Sequence, residues 1–168
     1  MKRLAFPSFL ALVLSGCGLT PVYSGGASGP VAQALHSVEV APIEGRAGWL
    51  VRTALQERLG AGAGDGTGTR YRLQVRLDDA IVGFGLRSDD AETRERRTLR
   101  ARYQLVETGK GDVVLDAAAG SDAGIDIVTS DYATVAAEQT ALERLSREIA
   151  DQIVARLALY AKDGGKTP

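Results

Sequence analysis

The stretch RRTLRARYQLVE, residues 96–107, alternates between polar and apolar side chains from residue 98 to residue 105. A β-strand with one buried face produces this period of two, because successive side chains point to opposite faces of a sheet. The sequence therefore predicts a strand whose apolar face is Leu99, Ala101, Tyr103 and Leu105. Its polar face is Thr98, Arg100, Arg102 and Gln104.

The same alternation occurs on both sides of this stretch. YRLQVRLDD, residues 71–79, has apolar residues at Tyr71 and at every second position to Leu77, and the segment from Val113 to Ala119 repeats the pattern. ETGKGD, residues 107–112, is typical of a hairpin turn between two strands. Earlier in the chain, HSVEVAP, residues 36–42, predicts a short edge strand that ends at Pro42.

Two segments have helical periodicity instead. From Ala47 to Leu59, apolar residues recur at three- and four-residue steps, and Gly60 follows as a C-cap. A longer segment, from about Tyr132 to Ala161, has the same pattern, with Ser130 or Asp131 available as N-cap. At ~1.5 Å per residue this helix is roughly 45 Å long, which is enough to cover a whole sheet.

The predicted order is β-α-β-β-β-α, with one apolar face per strand and one apolar stripe per helix. Two helices packed on one face of a four-stranded, mostly antiparallel sheet bury all of these surfaces. We therefore predict an α+β fold, a two-layer sandwich, as a single domain over residues 35–162. Residues 163–168 are predicted to be a disordered tail.

The N-terminus has the features of a secretory signal peptide. Lys2 and Arg3 precede an apolar run from Leu4 to Leu14, which is too short to span a bilayer that needs roughly 20 residues. Ser15 and Gly16 then precede Cys17, the only cysteine in the chain. This arrangement resembles the lipobox of bacterial lipoproteins, so residues 1–16 are predicted to be removed.

The lipobox implies that Cys17 becomes the first residue of the mature chain and carries an S-diacylglycerol and an N-acyl group, with palmitate among the acyl chains. Such multiple acylation anchors a protein stably, whereas one chain does not. Gly18 replaces the aspartate that commonly retains lipoproteins in the inner membrane, which favours the outer membrane and a periplasm-facing location. Residues 17–34, rich in Gly, Ser and Pro, are predicted to be a flexible lipid tether.

Composition argues against several classes of function. The chain has one histidine, His36, so it can assemble neither a His-based metal site nor a Ser-His-Asp triad. Acidic pairs at residues 78–79 and 89–90 are expected to be solvated, and the Gly-rich segment 60–69 follows a helix rather than preceding one, unlike a phosphate loop. A formal net charge of −1 gives no bulk attraction to nucleic acid. We expect no enzyme, no metal and no cofactor apart from the lipid on Cys17.

The polar faces of the strands carry the candidate binding residues. Arginine side chains can bind phosphates through two parallel hydrogen bonds. Five of them are predicted to line up on the helix-free face of one hairpin, where they could contact anionic lipid head groups: Arg72, Arg76, Arg96, Arg100 and Arg102. The alternative is an ordinary solvated face whose charge is balanced by neighbouring Asp and Glu.

Taken together, the lipobox with Gly18, the segment LTPVY (residues 19–23), the strands quoted above and SDYATVAAEQTALERLSREIADQIVARL (residues 130–157) resemble the LPS-assembly lipoprotein family LptE in its alphaproteobacterial form. The resemblance implies a lipoprotein that plugs the lumen of the outer-membrane β-barrel LptD in a 1:1 complex. It also implies help in assembling that barrel and in inserting lipopolysaccharide into the outer leaflet, without covalent chemistry.

Two functions of another class stay open on the sequence alone. One is an auxiliary lipoprotein of a lipid-transport ABC system. The other is a regulatory lipoprotein of a periplasmic enzyme. Co-purification of a large β-barrel, an inner-membrane permease or a cell-wall synthase would distinguish the three.

Overall fold

A computed structural model describes residue 26 and residues 29–60, 68–86, 92–128 and 130–164. The described chain forms three helices and four strands in the order α1, β1, α2, β2, β3, β4, α3. The helices are α1, Pro30–His36, α2, Gly45–Leu59, and α3, Asp131–Lys162. The strands are β1, Val38–Val40, β2, Tyr71–Leu86, β3, Glu92–Glu107, and β4, Val113–Asp126.

The strands form one sheet in the order β1-β2-β3-β4. β1 pairs with β2 in parallel, and the β2–β3 and β3–β4 pairs are antiparallel. A short strand that joins its neighbour in parallel requires a crossover, and α2 supplies it. The predicted α+β fold and the mostly antiparallel sheet are confirmed.

The core lies between the helices and one face of the sheet. The apolar face predicted for β3 is buried, with Leu99, Ala101, Tyr103 and Leu105 at 2% exposure or less. Opposite it, α3 buries the stripe that contains Leu145, Ile149 and Ile153, all at 0%. α2 buries Val51, Leu55 and Leu59 in the same core, so the helices lie on one side of the sheet and the polar faces of β2, β3 and β4 point to the other side.

Glycines allow two close contacts around α2. Gly60 ends the helix with φ of 65°, the left-handed conformation that glycine adopts most readily, and a Cβ there would collide with the His36 imidazole. At the other end, a Cβ on Gly48 would lie 2.6 Å from the carbonyl oxygen of Ile43. These contacts fix how α2 joins α1 and β1.

The structure differs from the sequence-based prediction at the N-terminal side of the domain. Residues 30–34 were predicted as part of the tether but belong to α1, whose Val31 and Leu35 are buried in the core. Pro30 opens this helix, where its missing N–H is not needed. The layer thus has three helices, one more than predicted, and the tether as predicted overlaps the first of them.

The central strands are also longer than predicted. β2 continues to Leu86, so Asp78 and Asp79 lie within the strand rather than at its end. The segment from about Tyr132 is helical as predicted, but its apolar Val135 is 49% exposed, since burial along α3 begins only at Ala141. Cys17, the segment 61–67 and Asp89-Asp90 lie outside the described residues.

An ion pair joins the two long helices and makes stability depend on pH. Arg58 Nε on α2 donates to Asp151 Oδ1 on α3 at 2.5 Å, and this hydrogen bond holds the pKa of Asp151 below its usual value. A lowered carboxyl pKa stabilises the fold above the unfolded-state pKa of about 3.9 and ceases to do so as the pH falls through the folded-state pKa.

We therefore expect Asp151→Asn to lower the free energy of unfolding at pH 7 by less than about 1 kcal/mol, because Asp151 is largely exposed. Urea titrations at several pH values should show this difference shrinking below pH 4. A difference that grows on acidification would contradict the assignment.

Candidate anion-binding face

The five arginines predicted as a binding set lie on one surface. The register places Arg76 opposite Arg102 and Arg100 opposite Asp78, and side chains directly opposite each other share a face. Tyr71 and Leu73, of the other parity, pack toward the helices. We call the helix-free surface formed by even-numbered residues of β2, β3 and β4 the arginine face.

Sequence reasoning missed two members of this surface. Arg94 has the same parity as Arg96 and pairs through its Nε with Asp126 Oδ1 of β4 at 2.8 Å. Phe84 lies below Arg96, whose guanidinium carbon is 5.3 Å from the ring centroid. Residues 92–97 are all polar, so no alternation marks this part of β3, and only its pairing with β2 shows that the strand begins at Glu92.

Some of these cations are already neutralised by neighbours. Arg72 Nη2 lies 3.5 Å from Glu39 Oε2, and Arg102 Nη2 lies 3.1 Å from Asp116 Oδ2. Gln104 donates to the same carboxylate at 2.9 Å, and the bonds from Gln104 and Arg102 lower the pKa of Asp116. Part of the arginine face is thus the balanced, solvated surface that the alternative interpretation expected.

Arg76, Arg100 and Arg96 are different, since the structure records no ion pair for them among the described residues. Arg76 and Arg100 border a depression of about 490 Å³ together with Arg102 and one carboxylate, that of Asp78. Its other side is formed by small residues of β4, among them Ala118 and Gly120. The Arg100 side chain lies across Gly120, where a Cβ would collide with it.

This arrangement suits an anionic ligand. Guanidinium groups bind phosphate or carboxylate oxygens through charge-assisted hydrogen bonds. Two of the three arginines without an ion pair among the described residues, Arg76 and Arg100, border the same depression. The small β4 residues leave room for a bulky head group. In the parts of the chain that the structure describes, no three His, Cys, Asp or Glu side chains lie close enough together to hold a metal ion.

The fold and this surface define a small α+β domain with a packed helical layer on one side and a charged sheet face on the other. None of the helices described is both long enough and apolar enough to cross a membrane. The model of the LptE family, described as lipopolysaccharide-assembly, matches residues 35–157, and the chain belongs to this family. The family assigned from the sequence is thus confirmed.

Solved structures share the fold. A candidate lipoprotein from Caulobacter crescentus CB15 has a TM-score of 0.63 at 24% identity, with 78% of this chain and 95% of that chain covered. The rare lipoprotein B from Shewanella oneidensis gives 0.58 at 11% identity, covering 75% and 95%. Lipoprotein B from Nitrosomonas europaea gives 0.55 at 13%, covering 76% and 89%. Among curated proteins, none matches the chain significantly in sequence.

Proposed function

We propose that the protein is an outer-membrane lipoprotein of the lipopolysaccharide transport machinery, bound in the lumen of the β-barrel LptD as a plug and assembly partner. In this role its arginine face contacts the phosphates of lipid A while lipopolysaccharide passes to the outer leaflet. The family match supports the pathway. The observation that carries the ligand proposal is that Arg76 and Arg100, which form no ion pair with any residue that the structure describes, border the open depression.

The proposal requires binding and no covalent chemistry. Lipid A offers phosphate groups next to acyl chains, and the arginine face offers guanidinium groups beside small and apolar side chains such as Ala118 and Phe84. A guanidinium that is not occupied by a carboxylate can bind phosphate without first losing a partner. Arg76, Arg100 and Arg96 therefore contribute more to binding in this proposal than Arg72 or Arg102.

Ligand binding is tested with the double variant Arg76→Gln/Arg100→Gln. Both side chains are exposed, so folding should change by less than about 1 kcal/mol. Affinity for purified lipopolysaccharide should fall at least about 10-fold, because hydrogen bonds between charged groups are lost. The remaining affinity should depend less on salt than that of the unmodified protein.

The matched control is Arg144→Gln/Arg147→Gln, which removes two exposed charges from α3 on the opposite layer. It should bind like the unmodified protein at both low and high ionic strength. Equal loss in both double variants would mean that net charge, and not the arginine face, determines binding. Equal affinity of all three proteins would show that Arg76 and Arg100 do not bind lipopolysaccharide and that this face is ordinary solvated surface.

Lipidation of Cys17 is the second part of the proposal. We expect Cys17→Ala to abolish acylation and membrane attachment while the domain keeps its melting temperature, because every core residue that the structure describes lies at residue 31 or beyond. Mass spectrometry of the purified chain and fractionation of membranes check this. Membrane retention of the variant in cells that lack the barrel would contradict a lipid anchor at this site.

Partner identity is tested by co-purification from outer-membrane extracts. Recovery of a large β-barrel in a 1:1 complex supports the proposal. Recovery of an inner-membrane permease or a cell-wall synthase in its place would favour the auxiliary or regulatory functions that the sequence left open.

A further inference from the structure

The outer edge of the sheet at β4 carries unused hydrogen-bonding groups. β4 pairs with β3 on one flank and is the last strand of the described sheet. On the other flank, the backbone N–H of Gly120 donates to Gln152 Oε1 at 3.1 Å, and Gln152 Nε2 donates to the Gly120 carbonyl at 3.2 Å. Both backbone groups of residue 120 therefore point away from β3.

This orientation repeats along the strand. Backbone groups of alternate residues point to the same flank of a strand, so residues 116, 118, 122, 124 and 126 also direct their N–H and C=O groups outward. All five positions are exposed. Of these five residues and Gly120, only Gly120 has a hydrogen-bond partner on this flank among the described residues. The edge offers a ladder about 35 Å long at ~3.4 Å per residue.

The Gln152 side chain shows what the edge can bind. Its carboxamide gives Gly120 one donor and one acceptor, which is what a residue of a neighbouring strand would give. Natural proteins usually protect a long edge with proline, lysine or a very short strand. β4 has 14 residues, VVLDAAAGSDAGID, with neither proline nor lysine, and small side chains along its centre.

The charge of the edge selects the partner. The charged residues of β4 are Asp116, Asp122 and Asp126, all on the arginine face. Arg102 and Arg94 pair with the first and the last of these, and no residue that the structure describes forms an ion pair with Asp122. An added strand places side chains on the same face directly opposite these carboxylates. Basic residues at alternate positions of that strand would be favourable there, and acidic ones unfavourable.

A second copy of this chain fits the edge poorly. Antiparallel pairing of two β4 edges brings Asp116 opposite Asp126 at two places in one register, and opposite Asp122 at two places in another. Like charges directly opposite each other destabilise a strand pair. The edge therefore favours a different, basic segment.

We propose that the outer edge of β4 binds an extended segment of a partner protein by strand addition, and that this segment carries arginine or lysine opposite Asp122. The backbone ladder supplies affinity, and the carboxylates supply the preference for basic side chains. Gln152 occupies one rung of the ladder and leaves it when the segment binds.

The test uses a labelled nine-residue peptide, Thr-Val-Arg-Val-Thr-Val-Arg-Val-Thr, whose threonine and arginine side chains share one face. Fluorescence anisotropy with the full-length chain should show saturable binding, and replacing both arginines of the peptide by glutamate should weaken it at least about 10-fold. We expect the peptide to add antiparallel to β4, and N-methylation of the amides at the arginine-bearing positions should then abolish binding, because these amides face β4. N-methylation of the valine amides, which face away, is the matched control and should preserve it.

Protein variants give a second measurement. Ala118→Pro removes one outward N–H without touching the β3 ladder, and proline is tolerated at such edge positions. It should abolish peptide binding, whereas Ala118→Ser should not. Asp122→Asn should lower the affinity for the arginine peptide about 3-fold and should not lower the affinity for the glutamate peptide. Equal binding of both N-methylated peptides would overturn the proposal.

Other occupants of the edge would be visible before any peptide is added. If the chain's own residues or a second copy cover the edge, the amides of residues 118, 122 and 124 will already be protected from hydrogen exchange, or light scattering will show a dimer. Either result would overturn strand addition by a partner. Fast exchange that slows when the arginine peptide binds is the expected result.

Discussion

We expect Ile149→Asp to unfold the domain under conditions in which the unmodified chain is folded. Ile149 has 0% exposure and lies in the middle of the buried stripe of α3, between Leu145 and Ile153. An aspartate there has no buried cationic partner, and burying an unpaired charge costs several kcal/mol. Domains of this size have about 5–15 kcal/mol of stability in total.

Thermal melting followed by far-ultraviolet circular dichroism measures this effect. Arg147→Asp is the matched control, because residue 147 lies on the same helix and is exposed. It should shift the melting temperature by a few degrees at most. An unchanged melting temperature for Ile149→Asp would show that this side of α3 faces solvent, and the two-layer architecture would be wrong.

The hairpin and the long helix could be predicted because their periodicity is strong. From Thr98 to Leu105 polar and apolar residues alternate, and the structure buries all four apolar side chains. Gly60 ends α2 as predicted, in the left-handed conformation. In such segments the local pattern and the packing in the fold agree, so the sequence alone is informative.

Other elements depend on tertiary contacts that leave little trace in the sequence. α1 has seven residues, too few for a clear helical period, and it is stable because Val31 and Leu35 reach the core. Beyond Leu77, β2 continues with Asp78-Asp79-Ala80, where the alternation fails. Pairing with β3 keeps this segment extended, and that pairing is not a property of the segment itself.

In the candidate site, too, some features follow from the local sequence and others depend on contacts between strands. All five arginines predicted for the helix-free face lie on it, because parity along a strand determines the face. Which of them are neutralised could not be predicted, since Arg72 pairs with Glu39 across β1 and Arg102 pairs with Asp116 across β4. Only the register between strands shows that Arg76 and Arg100 border the same depression.

An arginine of the opposite parity holds the distal half of the hairpin to the helical layer. Arg97 of β3 donates through Nε to Asp79 Oδ1 at 2.8 Å and through Nη2 to Asp79 Oδ2 at 2.6 Å. Its Nη1 also donates to the backbone carbonyl of Glu138 on α3 at 3.0 Å. The Arg97 side chain is 12% exposed and that of Asp79 is 24%. Residue 79 is exposed, as expected from the sequence, but its carboxylate is held in an ion pair that the sequence-based prediction did not include.

We expect Arg97→Ala to lower the free energy of unfolding by about 2–4 kcal/mol, because it leaves the Asp79 carboxylate half-buried without its partner and frees the Glu138 carbonyl. Asp79→Ala should cost less, since Arg97 keeps its bond to Glu138. The double variant should be more stable than the two single effects predict, with a coupling energy of about 1–3 kcal/mol.

Urea titrations of the unmodified chain, the two single variants and the double variant measure this coupling energy. The control is Arg94→Ala, which breaks the exposed pair with Asp126 and should cost less than about 1 kcal/mol. Strictly additive single effects would mean that Arg97 and Asp79 contribute independently. The ion pair between them would then not be what stabilises this end of the hairpin.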